Sequence, residues 1–161
     1  MHVLHRIAVE AENAQEAKDL VQDYIEESGN FNWSDWSVVG GRWGEEDTVI
    51  SYSETPEKFL EAVETARQWR VEQVNSYLAK VDVEHVTSLL KNYNGEELAF
   101  NDQDGMQAWR LGKALEIANG DSNPYGYFYD MVDGGAGDEY LKKRIEENPT
   151  EQYLVAVDFH F

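Results

Sequence analysis

Tyr153, Val155, Val157, Phe159 and Phe161 alternate with Leu154, Ala156, Asp158 and His160. A two-residue period resolves into faces only in an extended chain, so this run reads as a strand. A second such run stands at the other end of the sequence. There Val3, His5, Ile7 and Val9 alternate with Leu4, Arg6 and Ala8, giving one predominantly apolar face. These are the two strands richest in apolar alternation. A compact sheet that sets the last strand beside the first would make them central neighbours, although most of the chain lies between them.

The intervening sequence supplies the remaining elements. Asn13, three residues before Glu16, gives a capping-box-like helix start. Ala14, Ala17, Leu20, Val21, Tyr24 and Ile25 follow at helical spacing, and Gly29 is a C′ stop. Residues 35–43 read as a strand ended or bent by Gly40-Gly41. Residues 48–53 are the β-branched partner, joined to it through polar residues 44–47 as a hairpin. Thr55-Pro56-Glu57 opens a long helix with Phe59, Leu60, Val63, Ala66 and Val74 on its apolar stripe. A break near Asp82 precedes a shorter helix. Asp102-Gln103-Asp104-Gly105 leads into another, with Ala108, Leu111, Leu115 and Ala118 as its main stripe. Residues 121–138 read as irregular, and residues 139–147 as a short helix before the last strand.

A length of 161 residues fits one domain, 1–161. The order β α β β, helices, β predicts an α+β fold: a ferredoxin-like βαββ(helical insertion)β sheet with helices mainly on one face. Residues 1–79 and 148–161 form the sheet core, and 80–147 the helical and loop insertion. An α+β sheet of other connectivity is the alternative.

Charge narrows the function classes. Lys and Arg number 13 against 32 Asp and Glu, a net charge of −19 spread along the whole chain rather than gathered in a tail. Direct binding of duplex nucleic acid needs clustered cations and is disfavoured. The acid excess keeps a surface soluble, and it also suits docking on a basic protein surface. Cysteine is absent, which excludes disulfides, a thiol nucleophile and cysteine zinc sites. The start, Met1 to Arg6, lacks the apolar run of a signal peptide, and no stretch is long and apolar enough for a membrane span. A cytoplasmic protein without membrane attachment is expected.

The densest group of recognition residues is Trp33-Ser34-Asp35-Trp36 through Gly40-Gly41-Arg42-Trp43. Tryptophan offers a stacking face, and arginine a planar fork for phosphate or carboxylate. Glycines let the main chain approach closely. Such a set serves a nucleotide pocket or a protein hot spot. It also serves plain hairpin packing, with Arg42 paired to Asp35. The string Asp35-Trp36 to Gly40-Gly41-Arg42-Trp43, a DWxxxGGRW pattern, resembles one in small uncharacterised phage and prophage proteins. The resemblance covers nine residues and carries no known activity. It implies a phage context, hence the host cell cytoplasm, and an anti-defence role such as an anti-CRISPR-like inhibitor.

Other groups are sparser. Tyr125, Tyr127 and Tyr129, with Phe128, form an aromatic loop suited to closing over a ligand. Asp102-x-Asp104-Gly105 fails as a calcium loop, because Phe100 and Leu111 fall at its first and last ligand positions. Asp133, Asp138 and Glu139 read as a solvated loop. No metal and no cofactor is expected. His85 reads as a helix-surface residue. His5 and His160 lie on the two paired strands, with Arg6 and Asp158 as expected partners, and read as incidental.

The leading expectation is therefore a non-enzymatic binding protein, a phage-type inhibitor of a host defence system. Its acidic surface would meet a host protein with a basic surface, with Trp33, Asp35, Trp36, Arg42 and Trp43 making the specific contact. The second is a nucleotide-signal sponge or weak phosphoesterase, in which Arg42 grips a small anionic nucleotide ligand and Tyr125, Tyr127 and Tyr129 close over it. The third is an accessory protein that self-associates through its aromatic hairpin.

Overall fold

The final strand has apolar residues at both sets of alternate positions, so it needs cover on both faces and neighbours on both edges. The computed structural model meets those needs. It describes residues 2–29, 31, 34–43, 48–94, 102–119, 128–131 and 138–160, with the main chain alone for residues 43, 128–130, 138 and 139. Its elements are β1 (His2–Glu10), α1 (Ala14–Glu27), β2 (Trp36–Val39), a 3-10 turn (Gly41–Trp43) and β3 (Val49–Ser51). They continue with α2 (Pro56–Leu78), α3 (Val83–Lys91), α4 (Asp102–Asn119), β4 (Phe128–Asp130), α5 (Asp138–Glu147) and β5 (Gln152–His160). Among the described residues no helix is long and apolar enough to cross a membrane.

The fold is α+β. β1 and β5 pair antiparallel over their whole length, from His2 opposite His160 to Glu10 opposite Gln152. They are central neighbours, as expected. The strand order is β2-β5-β1-β4, with β3 also on β5. A ferredoxin-like sheet places its last strand at an edge, whereas here β5 is interior. β2 and β3 do not form the expected hairpin. Both run antiparallel to β5, with Val39 opposite Val157 and Val49 opposite Val155. Gly40 N–H donates to the Ala156 carbonyl at 2.7 Å, and Ala156 N–H donates to the Thr48 carbonyl at 2.7 Å. The chain thus leaves the sheet and rejoins it at one residue of β5. β2 and β3 are two pieces of one edge, interrupted by an excursion that carries Arg42. The physical reason is the length of β5: one short strand would leave part of its edge without hydrogen-bond partners.

Helices cover both faces rather than mainly one. Ala17 and Val21 of α1 pack with Phe31 on Ile7, Val9, Val155, Val157 and Phe159. Phe59 and Ala66 of α2 pack with Leu141 of α5 on Ala8, Ile50 and Leu154. α1 starts as its sequence predicts. Asn13 Oδ1 accepts from Gln15 N–H at 3.1 Å and Glu16 N–H at 3.0 Å, and Gly29, at φ 66°, stands at its end.

The chain divides into two compact units: residues 1–69 with 122–161, and residues 70–121. β4 and α5, expected in the insertion, belong to the sheet unit. β4 lies parallel to β1, with Ile7 opposite Tyr129. In the second unit Tyr77 meets Trp109 edge-on at 5.8 Å, and His85 Nε2 lies 2.8 Å from Asp104 Oδ1. Ala114 and Ile117 are the buried residues of α4, and Leu115 is 60% exposed, so its inward stripe differs from the expected one.

Candidate functional site at the open end of the sheet

Strand parity decides what stands together. His2 faces His160 and Leu4 faces Asp158 across β1 and β5, and Trp36 and Val38 face the same two β5 residues from the other side. His2, Trp36, Asp158 and His160 therefore share one face of the sheet. Further along this face α2 covers Ala8 and Leu154. At this end Trp36 is 47% and Val38 41% exposed, so the face is open.

Asp158 is the buried anchor. Its Oδ1 lies 3.0 Å from His2 Nδ1 and its Oδ2 3.4 Å from Arg42 Nε. A carboxylate removed from water is tolerated when its oxygens are paired in this way. The Gly40-Gly41 pair brings Arg42 there. Both residues lie in the left-handed region, at φ 81° and 59°. A Cβ on Gly41 would stand 2.5 Å from Asp158 Cβ and 2.9 Å from its Oδ2. Glycine lets the main chain lie directly against the acid that Arg42 grips, while half of the arginine side chain stays exposed.

The second imidazole has its own carboxylate. His160 Nδ1 lies 2.7 Å from Asp35 Oδ1. That hydrogen bond is the main reason the Asp35 carboxyl is held below its ordinary value of 3.8, against a smaller opposing effect of burial and with help from the charge of His160. Because the folded value is lowered, the pair contributes above the ordinary carboxylate range and is lost as pH falls through the folded value. In an acid titration followed by NMR, the Asp35 side-chain carbon should titrate below its ordinary value. An Asp35 midpoint at or above the ordinary value would contradict this pairing. Asp35 is exposed, so the effect on stability is small and screened by salt.

The rings form a cluster. The His2 and His160 centroids are 4.9 Å apart at 66°. Trp36 lies 5.6 Å from His2, edge-on, and 6.1 Å from His160, tilted by 31°. Each imidazole donates from Nδ1 to a carboxylate, which leaves each Nε2 available to a ligand. A cleft of about 280 Å³ adjoins the cluster, with Leu4, Ile50, Ala62 and Ala66 as its apolar lining and Arg6, Lys58 and Glu61 as its charged groups. Leu4, which faces Asp158 across the strand pair, joins cleft and cluster.

No known protein family, curated protein sequence or solved structure matches this chain. The site rests on its own chemistry.

Of the residues singled out in the sequence, Asp35, Trp36 and Arg42 come together here. Arg42 pairs with Asp158 rather than Asp35, because the 3-10 turn carries it over β5. Trp43 lies in that turn, and its side chain is outside the described residues. Trp33, Tyr125 and Tyr127 are likewise outside them. Tyr129 is a β4 residue opposite Ile7, described by its main chain alone. Sequence reasoning missed His2 and paired His5 with His160. His5 sits at an odd position of β1, so it turns to the other face, where it is buried edge-on against Phe159 at 4.9 Å. The missed signal is the alternate series Leu154, Ala156, Asp158, His160, which turns from apolar to polar at the end where His2 stands opposite. Among the described residues no group of three or more His, Cys, Asp or Glu side chains is placed to hold a metal ion.

Proposed function

We propose that the open end of the sheet binds a small anionic nucleotide. The Trp36 ring serves as the stacking face for the base, and Arg42, His2 and His160 meet the phosphate. The observation that carries this reading is the gathering of an exposed indole, a guanidinium and two imidazoles on one face of a protein with net charge −19. Stacking of a base on an aromatic ring contributes about 1–3 kcal/mol, and a hydrogen bond to a charged group about 1.5–3 kcal/mol. Trp36→Ala and Arg42→Ala should each weaken binding of a nucleoside monophosphate by about tenfold or more in calorimetry. Unchanged affinity in both variants would contradict the assignment.

A second reading has its own support. Trp36 and Val38 stand exposed side by side on an edge strand. An exposed indole beside an aliphatic residue is the composition of a protein hot spot, and the acidic chain around it favours a basic partner. In this reading the same patch is the contact of a phage-type inhibitor of a host defence system, and nucleotides give no heat of binding.

A further inference from the structure

We infer that His2 and His160 form a base-and-acid pair that cleaves the phosphodiester bond of a short ribonucleotide by internal transesterification. This inference rests on the nucleotide reading of the site and adds a reaction to it. The strand register sets the two imidazoles opposite each other, with ring centroids 4.9 Å apart. Each is held at Nδ1 by a separate carboxylate, His2 by Asp158 and His160 by Asp35. A carboxylate on Nδ1 fixes the tautomer, so that Nε2 is the atom that takes or gives a proton. Among the described residues, the charged groups paired with these imidazoles or their acids are those two acids and Arg42, which is held on Asp158 through Nε. His85 and Asp104 make a similar dyad in the other unit, but no second imidazole stands beside them among the described residues.

The chemistry of the cluster selects the substrate. Cleavage next to a ribose needs no external nucleophile, because the 2′-hydroxyl supplies it. What the protein must add is one base, one acid and a cation for the charge that builds on the phosphate. The neutral imidazole takes the 2′-hydroxyl proton at Nε2 as the 2′-oxygen bonds to phosphorus. The bond from phosphorus to the 5′-oxygen breaks, and the protonated imidazole gives its Nε2 proton to that oxygen. The products are a 2′,3′-cyclic phosphate and a nucleoside with a free 5′-hydroxyl. The two imidazoles have exchanged protonation states, and solvent resets them. Arg42 meets the phosphate oxygens. Asp158 and Asp35 are positioning residues. The net charge of −19 repels long polyanions, so the fitting substrate carries few phosphates. It has two nucleosides, one for Trp36 and one for the cleft beyond Leu4.

The test uses uridylyl-(3′,5′)-adenosine and its 2′-deoxyuridine analogue, which binds alike but lacks the nucleophile. The wild-type protein should bind the analogue in calorimetry and convert the ribo compound to uridine 2′,3′-cyclic phosphate and adenosine, read by chromatography. His2→Gln and His160→Gln should each slow cleavage by about 100-fold or more, while His85→Gln leaves it unchanged. A wild-type protein that binds the analogue yet leaves the ribo compound intact overturns this inference and leaves the binding reading standing. Failure to bind either compound overturns both. Cleavage that persists in both glutamine variants also overturns the inference.

Discussion

Alanine at position 41 should lower the stability of the protein by about 3 kcal/mol, from left-handed backbone strain of about 1–2 kcal/mol and overpacking of about 1–3 kcal/mol. The added methyl group would stand 2.5 Å from Asp158 Cβ and 3.1 Å from Val38 Cγ1. Asp158 Cβ is fixed to the interior strand β5 and cannot swing away as the tip of a flexible side chain can. Relief must come from the excursion itself, which lifts Arg42 off Asp158 and leaves a buried carboxylate with one partner fewer. Gly112, within α4, is the natural contrast. An added Cβ there meets nothing within 4 Å, and alanine gains up to about 1 kcal/mol of helix propensity. Urea denaturation of both variants measures the difference. A Gly41→Ala protein as stable as wild type would contradict the close packing of the turn on Asp158.

Phe159→Ala should cost about 4 kcal/mol, the usual loss for a large aromatic removed from a closed core. Phe159 is fully buried, stacked on Phe31 with centroids 4.9 Å apart and met edge-on by His5 at 4.9 Å. It stands between Asp158 and His160 in β5, with its side chain on the α1 face while theirs lie on the opposite one. The cavity would loosen the stretch of strand that aligns both imidazoles and the acid, so ligand binding should fall along with stability. Trp36→Ala separates the two effects. Nearly half of that side chain is exposed, so its removal should leave the urea midpoint close to wild type and act on binding. A loss below about 1 kcal/mol for Phe159→Ala would mean that this side of the sheet is not closed as described.

Those two residues also mark what could be read in the sequence. Long alternation made β1 and β5 legible as strands, and the compact sheet expected for the element order set them side by side, as they are. The cap at Asn13, the stop at Gly29 and the start at Pro56 were legible because each is a local hydrogen-bond or dihedral requirement. β4 was not, since three residues are too few to show a period. The hairpin expected over residues 35–53 failed for a non-local reason. Its two segments find their hydrogen bonds on β5, more than a hundred residues away in the chain. Helix cover on both faces follows from the second apolar set of β5, Leu154 and Ala156. Of the site, Asp35, Trp36 and Arg42 were visible as recognition residue types. His2, Asp158 and His160 became a site only once the register put position 2 opposite position 160.

The most direct measurement is an NMR titration of the protein, with assigned histidine rings, tryptophan indoles and arginine Nε groups, against the 2′-deoxyuridine dinucleotide analogue. The signals of His2, His160, Trp36 and Arg42 should move together along one saturating curve, while His85 and Trp109 stay where they are. Saturating shifts at His85 or Trp109 with the four sheet residues unmoved, or no shift anywhere, would contradict a ligand site at the open end of the sheet.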